Sequence, residues 1–221
     1  MKSAQINLEY FAKQEIKKTE ETILNYPWED PLAYAMWLSQ TYAMVSHSTR
    51  LVALAGAYVL VGNESLHARF VDHSKEERGH QLVCVSDIKE LGFKLEDFPV
   101  LFQSQAMYQI QYYWIQFRCA AAFFGYTLSL ECLAEQFGPA IATRVLNAHG
   151  KKAAKFLLLH SEADQEHTQE AYQYIQKLTA EETQAAQENL VISCDIYRSM
   201  LIEAQTKVAS LAHLKRRALA G

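Results

Sequence analysis

Apolar residues along this chain recur at intervals of three and four in every long segment, and no segment alternates convincingly. That spacing lines them up on one face of an α-helix. Leu8, Phe11, Ile16, Ile23 and Leu24 predict a first helix over residues 5–24, broken by Asn25-Tyr26-Pro27-Trp28. Asp30 followed by Pro31 is a helix start, because the carboxylate caps free N–H groups and proline suits the first turn. The second helix is predicted to run on to Gly62. A third opens at Asn63 or Ser65 and stops at Gly92, which suits a left-handed C-terminal position. After a connection containing Pro99, periodicity resumes through Leu101, Met107, Ile110 and Trp114. A helix over 120–137 is expected to end at Gly138-Pro139, with a short one following to Ala148. A long helix then covers 151–178, and Thr179 three residues before Glu182 is a capping box for the last one.

With only 8 glycines and 4 prolines in 221 residues, the chain lacks the turn residues of a sheet protein. The expected fold class is all-α, with a single domain over 1–221, since no linker separates two cores.

Charge and cysteine usage exclude several functions. The 21 basic and 25 acidic side chains give a net charge of -4, which excludes a strongly basic nucleic-acid module. Cys84, Cys119, Cys132 and Cys194 show no paired spacing, so neither a disulfide framework nor a cysteine-only metal site is expected. The most apolar stretch, 51–61, is too short to span a bilayer, and no targeting signal is legible. The expectation is a cytoplasmic protein with neither nucleic acid nor membrane as partner.

Three helices carry polar groups where apolar ones belong. His160, Asp164 and His167 share one face of the 151–178 helix, and that face continues through Phe156, Ala171 and Tyr174. Imidazoles and a carboxylate on an inward stripe need partners, and a metal ion supplies them. The competing reading is a water-facing polar run. His73, Glu77 and His80 repeat the pattern on the third helix, with Glu76 as a competitor for Glu77 and with Cys84 and Asp87 continuing the same side. Glu131 stands alone in the apolar run Tyr126–Ala134, so it must be paired, protonated or metal-bound. A salt bridge to Arg50 or Arg118 is its plain alternative. The mixed histidine and carboxylate inventory suits iron or manganese better than a closed four-ligand zinc site. The paired Glu-x-x-His signature of ferritin-like bundles is only half present, as Glu77-x-x-His80.

Taken together, these motifs resemble the haem-oxygenase-like di-iron oxidases and oxygenases, a group sharing its fold with thiaminase-II-like proteins and pyrroloquinoline quinone synthase. The resemblance rests on His160-x3-Asp164-x2-His167, on Glu131 in the preceding core helix, and on Glu77 with His80. It extends to Asp87–Gly92 and to Tyr126–Pro139, and covers residues 30–215. In some members the early carboxylate lies seven residues before the histidine, and here that position is His73.

The resemblance implies a seven-helix haem-oxygenase-like bundle and a homodimer. It implies two iron ions, with manganese as the alternative metal, held by His73, Glu77, His80, Glu131, His160, Asp164 and His167. Glu131 and Asp164 would be the catalytic carboxylates. The implied activity is that of an iron-dependent oxidoreductase using dioxygen to oxidise a small-molecule substrate of the amino acid, amine or fatty acid class. Aromatic residues including Trp37, Tyr42, Phe70, Phe117 and Phe123 are candidates for a pocket wall, and Arg50, Arg118 and Arg144 for carboxylate binding. Two other readings remain at this stage. One is a metal-free thiaminase-like or cofactor-assisted enzyme, drawing on Cys119 or Cys132. The other is a non-catalytic helical interaction protein. Haem itself is disfavoured because no histidine precedes His47.

Overall fold

A computed structural model describes residues 7–212, apart from the side chains of residues 161–170. The predicted basic tail, Lys215-Arg216-Arg217, and the predicted start at residue 5 lie outside the described residues. Those described form ten α-helices and no strand: α1 Leu8–Lys17, α2 Glu20–Leu24, α3 Pro31–Val45, α4 Ser48–Tyr58, α5 Glu64–Glu76, α6 His80–Glu90, α7 Phe102–Tyr113, α8 Phe123–His149, α9 Lys155–Ile175 and α10 Ala180–Ser210. The all-helical expectation holds. No helix among the described residues is long and apolar enough to cross a membrane.

Two predicted starts are borne out. The Asp30 side chain accepts from the Leu32 N–H at 2.9 Å, with Pro31 in the first turn of α3. Thr179 and Glu182 close a reciprocal capping box on α10. Gly92 takes the expected left-handed conformation.

The number of helices differs from the seven expected, for local reasons. The predicted first, second and third helices are each broken once, near Lys18, at Ser46–His47 and at Glu77–Gly79. Gly79 has φ 96°, a conformation that an L side chain resists, and it redirects the chain between α5 and α6. In the other direction, α8 runs straight through Gly138-Pro139, where a stop was expected. Proline removes one N–H and so strips a partner from the carbonyl of Glu135. Both Pro139 and Glu135 are exposed, so water satisfies that carbonyl and the helix continues.

α3 is buried from Leu32 to Thr41 without interruption, which makes it the central helix of the bundle. α6 and α10 pack on it, while α9 and α10 pack on α8. At the α8–α10 contact a Cβ on Gly125 would lie 2.2 Å from the carbonyl oxygen of Ala186, so only glycine admits this approach. The aromatic core starts at Tyr26 and Trp28, whose ring centroids are 4.8 Å apart. It continues from Trp28 to Trp37 at 5.2 Å and from Trp37 to Phe156 at 5.9 Å. Phe156 leads directly to the polar cluster.

Candidate functional site

Four helices deliver imidazole and carboxylate groups to one buried region. His73 comes from the last turn of α5 and is 5% exposed; Glu77, which caps that helix, is 8% exposed. His80 opens α6, Glu131 comes from the middle of α8 and is 7% exposed, and His160 comes from α9.

Distances within the cluster are short. His73 Nε2 lies 3.5 Å from Glu77 Oε1 and 3.7 Å from Glu131 Oε1. The second oxygen of Glu77 lies 3.5 Å from His80 Nδ1. One carboxylate therefore faces two imidazoles, and one imidazole faces two carboxylates. The rings of His80 and His160 meet edge to face with centroids 4.9 Å apart, and Phe156 lies against His160 at 4.3 Å.

Local sequence explains this convergence. His73, Glu77 and His80 were expected on a single continuous helix. Instead the helix breaks just after Glu77, and the left-handed Gly79 starts α6 at His80. Both histidines still reach the same carboxylate. Glu76 points to the exposed side and Glu77 to the buried one, which separates the two competitors. Glu131 is buried and Glu135 exposed in the same way.

Electrostatics hold the cluster together. Burial alone would lower the pKa of His73, but Glu77 and Glu131 outweigh it and raise it above the ordinary imidazole value. Burial alone would push the Glu77 carboxyl up, yet contact with His73 and His80 holds it well below the usual range.

Several expectations are revised. Glu131 does not pair with Arg50 or Arg118. Arg50 donates to the Ser46 carbonyl oxygen at 2.8 Å, and Arg118 pairs with Glu188 at 3.1 Å. Arg144 grips both oxygens of Glu29, at 2.5 and 2.7 Å. None of these three arginines lines the cavity described below, so none is placed to receive a substrate carboxylate there. Asp87, on the same side of the sequence pattern, accepts from the backbone N–H of Phe156 at 2.8 Å. Asp164 and His167 belong to α9, and their side chains lie outside the described residues.

A cavity of about 130 Å³ adjoins the cluster, with His73, Glu77, Glu131 and His160 in its wall. Of the aromatic candidates, Trp37 and Phe123 line it; Phe70 is core, while Tyr42 is only partly buried and Phe117 is exposed. No cysteine is among its described lining residues. Two neighbours escaped the sequence reading. Arg69 is buried one turn before His73 and disfavours its protonation; the i, i+4 spacing was the available signal. Tyr126 is also buried, and its hydroxyl has no hydrogen-bond partner among the described residues.

Among the described residues, no group of three or more histidine, cysteine, aspartate or glutamate side chains is arranged to hold a metal ion. The donor set nonetheless fits one in kind. Three imidazoles and two carboxylates from four helices meet in a buried region, and the buried Nδ1 of His80 has no hydrogen-bond partner of good geometry.

Comparisons with known proteins agree with the architecture. A solved domain of unknown function with a heme oxygenase-like fold, from Shewanella denitrificans, matches with a TM-score of 0.81 at 19% identity. That match covers 91% of this chain and 93% of the other. A TenA homolog from Pseudomonas syringae pv. tomato matches at 0.70 and 13% identity, covering 93% of this chain and 97% of the other. At such identities the likeness shows the fold alone, which is haem-oxygenase-like. No curated protein matches the chain. The family model for iron-containing redox enzymes matches residues 35–195. That span runs from the buried helix α3 into α10 and includes every group of the cluster, so this chain belongs to the family of iron-containing redox enzymes.

Proposed function

We propose that this chain is a non-haem di-iron oxidase or oxygenase that uses dioxygen to oxidise a small organic molecule. The observation that carries the reading is the meeting of His73, Glu77 and Glu131 within 3.7 Å, with His80 and His160 beside them, in the wall of an apolar cavity. His73, Glu77, His80, Glu131, His160, Asp164 and His167 would hold two iron ions, with manganese as the alternative. Reduced iron, if held there, would supply the electrons for dioxygen chemistry.

The chain's own residues prepare the site. Glu77 offers one oxygen towards His73 and the other towards His80, so a single side chain is shared by two segments. Glu131 arrives from a separate helix and approaches the same His73 nitrogen, Nε2, as Glu77 does. Phe156, Trp37 and Phe123 make that part of the cavity wall apolar. Low polarity there strengthens every electrostatic contact of the cluster.

The thiaminase-like alternative draws support from the shared fold of the TenA homolog. Its cysteine nucleophile is hard to find here. Cys132 sits against the Tyr172 hydroxyl at 3.3 Å, and burial pushes its thiol up to about 12. Burial also raises Cys119. Neither is a ready thiolate. A homodimer in the cytoplasm belongs to the proposed reading, and light scattering tests the assembly.

The deciding experiment is anaerobic iron loading, desalting and elemental analysis. Two irons per chain support the proposal. Protein that stays metal-free in the presence of excess ferrous iron overturns it.

A further inference from the structure

The chemistry of the cavity wall restricts what the cavity can hold. Its charged members are His73, Glu77, Glu131 and His160, all part of the cluster, and no lysine or arginine is among the described lining residues. An anionic group placed elsewhere in the cavity would therefore find no countercharge among the described lining residues, and burying an unpaired charge is strongly unfavourable.

Among the described residues, the remaining polar side-chain groups of the wall are neutral, hydroxyls and the indole N–H groups of Trp28 and Trp37. Thr41 is 5% exposed, and its buried Oγ1 has no hydrogen-bond partner among the described residues. The Tyr197 hydroxyl accepts from Trp37 Nε1 at 3.0 Å, and burial pushes its phenol up to about 12, so it stays neutral. These groups suit a neutral polar atom and offer little to an ion.

Room in the cavity depends on one position. Gly138 is buried and lines the cavity, and a Cβ built on it meets nothing within 4 Å. Elsewhere on α8 the opposite holds: at Gly125 the same Cβ would collide with the α10 backbone. Gly138 thus leaves space that no neighbour fills.

We infer that the cavity takes a small uncharged molecule, a ring or short chain with at most one neutral polar group, and that the missing side chain at Gly138 makes the room for it. A dry cavity of about 150 Å³ holds benzene, and at interior packing density the 130 Å³ here sets the size at roughly six or seven non-hydrogen atoms. As a statement about substrate, this rests on the oxidase reading. As a statement about binding, it stands without iron.

Calorimetric titration of the purified full chain tests it, with toluene and 1-hexanol as neutral probes and pentanoate and hexylammonium as charged ones of the same number of non-hydrogen atoms. Saturable binding of the neutral pair, with the charged pair at least tenfold weaker, is expected. Gly138→Leu should weaken toluene binding tenfold or more while keeping a cooperative unfolding transition. Because the residue before a proline is sterically crowded, Ala134→Leu serves as a second variant, one turn earlier and also lining the cavity. If one variant fails to fold, the other and the wild-type probe series carry the test. Pentanoate binding as tightly as toluene, no saturable neutral binding, or wild-type toluene affinity in every folded variant would overturn the inference. Iron content is measured on the same samples. Neutral-probe binding in protein that takes up no iron sinks the oxidase reading and supports the cavity. Iron uptake without such binding does the reverse.

Discussion

Asp87 reaches from α6 to the start of α9 and accepts the backbone N–H of Phe156 at 2.8 Å. The residue preceding α9 is Ala154, which has no side chain able to cap, so a neighbouring helix supplies the missing acceptor. The contact ties the helix that begins with His80 to the helix that carries His160. Burial raises the Asp87 carboxyl to about 6, against the pull of the Phe156 N–H and of Lys155.

That shift gives a pH prediction. The folded carboxyl binds its proton more tightly than the unfolded one, which titrates near about 4. Stability contributed by Asp87 is therefore fully present below about 4 and is lost as pH rises to about 6. Asp87→Asn keeps an acceptor for Phe156 and cannot ionise. Urea unfolding from pH 4 to 7 should show the variant gaining on the wild type as pH rises. Parallel curves would contradict the assignment. Asp87→Ala, which also loses the acceptor, should cost about 1 kcal/mol or more at low pH.

Gly125→Ala tests the packing of α8 on α10. The added methyl would lie 2.2 Å from the Ala186 carbonyl oxygen and 2.5 Å from the Leu190 nitrogen, both backbone atoms that cannot swing aside. Helix propensity alone favours alanine by about 1 kcal/mol. The clash should exceed this and leave the variant less stable by roughly 1–3 kcal/mol. A denaturation midpoint at or above that of the wild type would refute the close approach.

Helix class was legible in the sequence because apolar spacing depends only on which face is buried. Caps at Asp30 and Thr179 were legible for the same reason: they are local chemistry. The joints were not. Gly79 sits among charged residues whose spacing continues the helical pattern, and only the tertiary course of the chain shows that it turns. Pro139 read as a stop, yet it falls on an exposed face where its missing hydrogen bond is replaced by water. For the site, a lone acid in the apolar surroundings of Glu131 was a sound signal of burial. Its neighbour could not be read, since His73 lies 58 positions away in sequence and reaches it only through packing of α5 near α8. The partner of Asp87 could not be read either, since it is a helix start without a capping residue, Ala154, that draws one of its oxygens to the Phe156 N–H.

Trp37→Phe addresses the aromatic wall. The indole N–H donates to the Tyr197 hydroxyl at 3.0 Å in a buried setting, and phenylalanine keeps the ring while removing the donor. A loss of about 1 kcal/mol in stability is expected. Tyr197→Phe, which leaves the indole N–H buried without its acceptor, should cost at least as much. Two neutral substitutions would show that the contact contributes nothing.

Glu131 is the sharpest single test of the cluster. It is the acid that α8 contributes to it, and its oxygen lies 3.7 Å from His73 Nε2, the nitrogen that Glu77 also approaches. Replacing it with alanine removes an oxygen donor without touching α5 or α6, so His73, Glu77 and His80 keep their mutual contacts. Glu131→Ala should therefore fold with wild-type helicity and hold less iron after anaerobic loading than the wild type. Its reaction with dioxygen, followed by stopped-flow absorbance, should be lost. Glu131→Gln keeps the shape and one neutral oxygen, and it should fall between the two in iron content. Glu135→Ala is the control, because that side chain is exposed one turn further along α8. Elemental analysis of the four proteins separates the outcomes: if Glu131→Ala retains as much iron as the wild type and the control, this carboxylate is not a metal ligand.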